Sequence, residues 1–223
     1  MPLLKINKNE NNVLAVWSLE ESFEELSRLI SLNEEDSFKL EKITSHIRKR
    51  EFLTVRILLH DLLGFYPEIV HDQQRRPSLS NSAFNLSISH SRSLVTVILS
   101  ENEVGIDTEE NTRNVSQIAK RFLSEEELTW TTASEEPNNA WILCWSIKES
   151  VFKMMGMENV DFRTMIRIDP VKMETSGVAS VTFRIDGKCD KINVHYFREG
   201  NSIITWCSFP IFSFEPGKEK QGT

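Results

Sequence analysis

The stretch "VGIDTEE", residues 104–110, sets an apolar alternation against a run of acids. Read as a strand, it points Val104, Ile106 and Thr108 one way and Asp107 and Glu109 the other, the two acids about 7 Å apart. One face suits a core. The other carries two carboxylates that repel each other unless a cation or a basic partner lies between them. An acidic strand end running into solvent gives the same pattern, so the meaning of the pair depends on what the rest of the chain brings to it.

Upstream, "FNLSIS" (84–89) and "LVTVILS" (94–100) read as strands joined by a turn in "HSRS". "NVLAVWSL" (12–19) reads as an earlier strand. It is followed by an acidic helix near 21–31, a short helix after Asn33 and a long helix from about 44 to 63 closed by Gly64. Downstream the order recurs. A helix is expected near 115–122, then a short one at "SEEE", where Ser124 and Glu127 have capping-box spacing, then a long helix over 138–155 closed by Gly156. Strands near 163–168, 178–185, 191–197 and 202–209 follow. Val13 to Val104 is 91 residues, Asn33 to Ser124 is 91 and Gly64 to Gly156 is 92. This recurrence predicts an α+β chain of two similar α/β subdomains, residues 1–102 and 103–223, related by a pseudo-two-fold with a ligand crevice between them. A two-unit crevice within one chain favours a monomer.

At 223 residues and 39% hydrophobic content the chain can bury one generous core or two small ones. "MPLLKINKNENN" lacks the apolar region of a cleavable leader, and no stretch has the length of a membrane span, so a cytoplasmic location without a membrane partner is expected. Cys144, Cys189 and Cys207 show no metal-ligand spacing and read as core thiols. A net charge of −7 argues against a nucleic-acid partner, so any anionic ligand must meet a local concentration of Lys and Arg. The tail "EPGKEKQGT" is polar and reads as frayed.

Within "NNAWILCWSIKESVFKMMG" (138–156), Trp141, Trp145, Lys148, Phe152 and Met155 recur at helical spacing as one apolar stripe, which Lys148 interrupts. Such a lysine either snorkels to water or meets an anion between the two units. Glu149 and Lys153 stand at i, i+4, the spacing of a surface ion pair. "SISHS" (87–91) places hydroxyls and an imidazole at a turn, a pattern that serves local hydrogen bonding and also suits a phosphate. "HIRKR" (46–50), Arg56 on the same helix, and "RRP" (75–77) supply cations.

Taken in order, "SISHS", "VGIDTEE", "AKRFLSEEE" and "WSIKESVFK" resemble the motifs of the 4′-phosphopantetheinyl transferase superfamily, specifically its larger pseudo-dimeric branch related to the surfactin-synthetase-activating enzyme. The resemblance covers roughly residues 45–155. It implies Mg²⁺, coenzyme A as co-substrate, and an apo acyl or peptidyl carrier protein as partner. Carried over residue by residue, it implies Asp107, Glu109 and Glu149 as magnesium ligands. Lys148 and Lys153 would lie near the pyrophosphate, Ser89, His90 and Ser91 at the coenzyme A phosphates, and Arg50 at the 3′-phosphoadenosine end. Lys42 and Arg48 are further candidates for the 3′-phosphate. Where relatives have Gly-Lys-Pro, this chain has Arg75, Arg76 and Pro77, which the resemblance implies as coenzyme A contacts with Arg76 in place of the lysine, and where a glycine often follows "SHS" it has Arg92.

The activity so implied is transfer of the phosphopantetheine arm to a carrier serine, releasing adenosine 3′,5′-bisphosphate. Asp107, Glu149 and Lys153 would be catalytic, with Glu149 as the base. Lys120 and Arg121 beside Phe122 and Leu123 would form a docking surface for an acidic carrier, unless the two apolar side chains face the core. Two other readings fit the same residues: a non-catalytic carrier-protein binding module, and a Mg²⁺-dependent phosphohydrolase.

Overall fold

The computed structural model describes residues 3–8, 11–185 and 187–210, apart from the side chains of Lys5 and Ile185. The expectation of a frayed tail lies outside these residues. The N-terminal half runs β1 (Leu3–Lys8), β2 (Asn12–Ser18), α1 (Phe23–Ser27), α2 (Glu34–Glu41), α3 (His46–Leu63), β3 (Ile69–His71), β4 (Pro77–Leu79), β5 (Asn85–His90) and β6 (Leu94–Ser100). The C-terminal half runs β7 (Glu103–Glu110), α4 (Ala119–Phe122), α5 (Glu125–Thr132), α6 (Pro137–Met155), α7 (Phe162–Met165), β8 (Ile166–Ile168), β9 (Ser176–Ile185), β10 (Lys188–Glu199) and β11 (Ser202–Phe209).

Two antiparallel sheets carry the fold, ordered β1-β2-β6-β5 and β7-β11-β10-β9-β8. The expected α+β class and its internal similarity are visible in this order. In each half a leading strand, β2 or β7, pairs with the closing strand, β6 or β11, whose other neighbour is the penultimate strand, β5 or β10. The long helices α3 and α6 occupy matching places, and each ends at a left-handed glycine, Gly64 (φ 76°) and Gly156 (φ 62°). Capping boxes start α1 at Ser22 with Glu25 and α5 at Ser124 with Glu127.

Strand alternation sorts the apolar side chains into three cores. Ala15, Trp17, Val95 and Val97 turn toward Leu58 and Leu59 of α3. Leu14, Val16, Leu94 and Ile98 face Val104, Ile106, Ile204 and Trp206 of the other sheet. Ile203 and Cys207 face Ile147 and Val151 of α6. The layers are therefore α3, first sheet, second sheet, α6, and the acid-bearing face of β7 lies under α6.

β7 is an edge strand, and its outward N–H groups must be satisfied. The hydroxyl of Ser87 accepts from Ile106 N at 3.1 Å, and that of Ser89 accepts from Thr108 N at 3.1 Å. A buried contact of 2.8 Å between the Thr96 and Thr108 hydroxyls extends this seam. α6 crosses β7 so closely that a Cβ on Gly105 would lie 1.9 Å from Ser150 O and 2.7 Å from Met154 N, both backbone atoms.

Several expected elements differ in extent. The helix near 21–31 is only Phe23–Ser27, and that near 115–122 only Ala119–Phe122. The strand near 163–168 begins as the short helix α7, and β1 was not anticipated. Cys144 and Cys207 are buried thiols as expected, with burial pushing the pKa of each up, but Cys189 is exposed. Phe122 and Leu123 are core residues, which removes them from any docking surface. Among the described residues no helix is long and apolar enough to cross a membrane.

Gly105→Ala should cost roughly 1–3 kcal/mol or more, because the methyl group meets helix backbone that cannot rotate away. Urea unfolding at neutral pH measures this, and the loss should be accompanied by displacement of α6 from β7.

Candidate functional site

The face of β7 that carries Asp107 and Glu109 meets the face of α6 that carries Glu149 and Lys153. Lys153 Nζ donates to Asp107 Oδ1 at 2.8 Å, to Ile106 O at 2.9 Å and to Ser89 Oγ at 3.1 Å. Ser89 in turn donates to Asp107 Oδ1 at 3.2 Å. The i, i+4 spacing suggested that Lys153 pairs with Glu149, yet its ion pair is with Asp107, because α6 lies directly on the strand. Glu109 is engaged elsewhere: Arg113 Nη1 donates to both of its oxygens at 2.9 and 3.0 Å, and Trp145 Nε1 donates at 2.8 Å.

Burial, reinforced by the charges of Asp107 and Glu109, pushes Glu149 up to about 7, against the pull of Lys153 and Arg113. Burial also raises Glu109, with Asp107 adding to it and Arg113 opposing. Asp107 Oδ2 is buried without a hydrogen-bond partner among the described residues. Among those residues no three Asp, Glu, His or Cys side chains are drawn together as a metal-ligand cluster, since Asp107 Oδ1 is turned to Lys153 and Glu109 to Arg113. The donor set nonetheless fits a hard dication: an unpartnered buried carboxylate oxygen of Asp107 beside two further acids whose pKa burial and the neighbouring carboxylates raise.

Beside Lys153 opens a cavity of about 590 Å³ lined by Arg75, Arg76, Pro77, Ser87, Ile88 and Lys153, with Phe152 and Gly156 of the α6 end. Four of the candidate coenzyme A contacts, Arg75, Arg76, Pro77 and Lys153, thus lie around one cavity, brought from two distant parts of the chain. Arg76 stands 3.6 Å from Glu103. Arg75 sits in the turn between β3 and β4 with φ 63°, in the left-handed region that favours glycine, at a cost of about 1–2 kcal/mol for an L side chain.

Other expected residues lie elsewhere. Ser89 is buried, and its hydroxyl is occupied by Thr108 N, Lys153 and Asp107, so it braces the site and has no capacity left for a phosphate. His90 points toward α3: Arg48 Nη1 lies 2.6 Å from its Nε2 and Glu51 Oε1 lies 3.4 Å from its Nδ1. Burial lowers the His90 pKa, aided by Arg48 and Lys153 and opposed by Glu51. His90, Arg48, Lys39 and His71 line a second hollow of about 390 Å³. Ser91 accepts from Leu94 N at 3.3 Å.

Arg50 donates to Leu19 O on another side of α3, so Arg48 is the α3 cation beside the Ser-His strand. Lys148 is completely buried, and its three N–H groups go to Glu127 Oε2 at 2.8 Å, Phe162 O at 2.7 Å and Ile166 O at 2.6 Å, leaving none for a ligand. Burial lowers its pKa, and Glu127 opposes that shift. Sequence reasoning missed the roles of Ser87, Arg113, Glu51 and Glu127. Only Glu127 had a legible signal, its capping-box position, and nothing in the spacing tied it to Lys148.

Residues 103–207 match the family model of the 4′-phosphopantetheinyl transferase superfamily. Two curated proteins are similar over shorter stretches. One is a Haemophilus influenzae protein whose name carries the words "4′-phosphopantetheinyl transferase". It is 30% identical over 95 residues, 40% of this chain and 40% of that protein. The other is the 4′-phosphopantetheinyl transferase AcpT of Salmonella typhimurium, 30% identical over 119 residues, 49% of this chain and 60% of that protein. The chain spans about half the length of the curated relatives it matches.

Glu149 binds its proton more tightly in the folded protein than its ordinary value of 4.5 allows in the unfolded chain, so its contribution to stability is complete below about 4.5 and is lost as pH rises through about 7. Glu149→Gln should therefore flatten the decline in urea midpoint across that window and leave the variant more stable than the parent at about pH 8. Adding Mg²⁺ to the parent protein should reduce the same decline.

Proposed function

We propose that the chain transfers the 4′-phosphopantetheine arm of coenzyme A to a serine of an apo acyl or peptidyl carrier protein, releasing adenosine 3′,5′-bisphosphate. We further read the chain as two subdomains, 1–102 and 103–223, with the reacting groups on the second. The observation that carries the reading is Lys153: it is bound to Asp107 at 2.8 Å and also lines the cavity that holds Arg75 and Arg76. One residue thus joins an acidic site to a basic pocket of a size for a phosphorylated ligand.

Arg75, Arg76 and Lys153 would bind the phosphates as separate cations, which a chain of net charge −7 supplies only locally. Asp107, Glu109 and Glu149 would hold Mg²⁺, which when bound neutralises pyrophosphate charge and favours departure of the bisphosphate. Ser89 keeps Asp107 and Lys153 in register through its hydroxyl. Glu149, at the edge of the acidic site, would take the proton of the attacking serine hydroxyl directly or through water. The exposed Arg121, next in sequence to the exposed Lys120, lines a groove of about 420 Å³ with Ile118, Trp145 and Phe162, and Trp145 Nε1 donates to Glu109. An acidic carrier approaching there would bring its serine toward the carboxylates.

Intact-mass measurement of apo carrier domains incubated with the protein, coenzyme A and Mg²⁺ should show a gain of one phosphopantetheine that EDTA abolishes. Asp107→Asn should lower the rate by about a hundredfold or more and weaken Mn²⁺ binding measured separately, with the fold intact by circular dichroism. Release of the bisphosphate without carrier would replace transfer by hydrolysis. Coenzyme A binding with no release would leave a binding module.

Charge reversal at Lys120 and Arg121 should raise the KM for carrier and leave the KM for coenzyme A unchanged. Equal carrier KM values before and after reversal would remove this groove from the docking surface.

A further inference from the structure

Two buried ion pairs occupy matching places in the two halves. Asp36, third in α2 after its N-cap Asn33, receives Arg56 Nε at 2.7 Å and Nη2 at 2.6 Å, with Tyr66 OH donating at 2.6 Å. Glu127, third in α5 after its N-cap Ser124, meets Lys148 Nζ at 2.8 Å. All four partners are buried, Lys148 completely. Asp36 to Glu127 is 91 residues and Arg56 to Lys148 is 92, the offsets that also relate Asn33 to Ser124 and Gly64 to Gly156.

The chemistry differs, but the count of bonds from backbone to backbone, taken through Arg56 Nη2, does not. The arginine side chain reaches one atom further than that of lysine, and aspartate is one methylene shorter than glutamate, so acid and base together bridge the same number of bonds in both halves. A one-sided change would leave a buried charge stretched or crowded, whereas a coupled change keeps the bridge. The reacting carboxylates follow a different rule. The residues 91 before Asp107 and 92 before Glu149 are Val16 and Ile57, both apolar. The joint is held in common by the halves, and the acids are not.

We propose that these pairs are one joint kept in duplicate, and that in the C-terminal half Glu127 and Lys148 are positioning residues for the site. Lys148 and Glu149 are neighbours on α6 and project about 100° apart. With Lys148 fixed to Glu127, Phe162 O and Ile166 O, the helix is held in rotation and height, which aims Glu149 and Lys153 at Asp107. Glu127 extends the hold, accepting from Ser124 N at 2.7 Å and Ile168 N at 2.9 Å, so α5, α6 and the strand after α7 are tied at one point. Neither residue lines the phosphate cavity. The positioning role rests on the transferase reading; the joint itself does not.

A double-mutant cycle on the full chain tests both. Glu127→Asp and Lys148→Arg singly should each lower the urea midpoint. Each should also lower kcat about ten- to a hundredfold and raise the KM for coenzyme A by less than that, because a shift of α6 moves Glu149 and Lys153 but leaves Arg75 and Arg76 in place. The double variant, which installs the pairing of the N-terminal half, should restore both quantities. The reciprocal pair Asp36→Glu with Arg56→Lys should likewise recover the midpoint lost by its single variants, and it tests the joint if the first set folds poorly. A double variant no better than its worse single would overturn the joint. A Lys148→Arg protein of normal stability but raised KM for coenzyme A would make Lys148 a ligand contact instead. If the parent protein modifies no carrier, the transferase reading fails, and the urea cycles still decide whether the joint exists.

Discussion

The outer edge of β7 is the constraint on which the rest depends. A strand buried between two sheets cannot leave its N–H and C=O groups unpaired, since each would cost about 1–3 kcal/mol. Among the described residues no neighbouring strand ladder completes this edge. The hydroxyls of Ser87 and Ser89 take the N–H groups of Ile106 and Thr108, and Lys153 donates to Ile106 O. The two halves are thus joined by side chains acting as a ladder. Because one of the donors is a lysine, the same joint brings a positive charge against Asp107.

The electrostatics follow from that contact. Lys153 pairs with one acid and Arg113 with a second, while burial, with the charges of Asp107 and Glu109, pushes Glu149 up to about 7. The bare backbone of Gly105 lets α6 come close enough for this to happen, since any side chain there would meet Ser150 O. Close approach, buried charge and a basic cavity at the end of the same helix are therefore one arrangement. The ion pair of Glu127 with Lys148 holds the opposite side of α6, so the helix is fixed on two faces by charge as well as by its apolar core.

Much of this was legible in the chain. The alternation in "VGIDTEE" assigned Ile106 and Thr108 to one face and Asp107 and Glu109 to the other, and the offset of 91–92 residues exposed the repeated architecture. Lys148 was misread because helical periodicity reports which face a residue occupies and not what lies opposite it. Its partner is 21 residues away on another helix, and two further acceptors are backbone carbonyls that no sequence pattern marks. Arg50 failed for a similar reason: a basic run on a helix points in several directions, and the strand beyond decided that Arg48 faces His90.

By itself, then, the sequence determined the local and periodic quantities: strand faces, helix ends at Gly64 and Gly156, and the capping box of Ser124 with Glu127. These depend on local geometry, which repeats along the chain. Tertiary structure alone decided which charges meet. The pairing of Lys153 with Asp107, the enclosure of Lys148 by Glu127 and the use of Ser87 and Ser89 as strand partners join segments 19 to 46 residues apart. Their geometry is set by how α6 and the two sheets pack, a cooperative result of burial that no local spacing encodes.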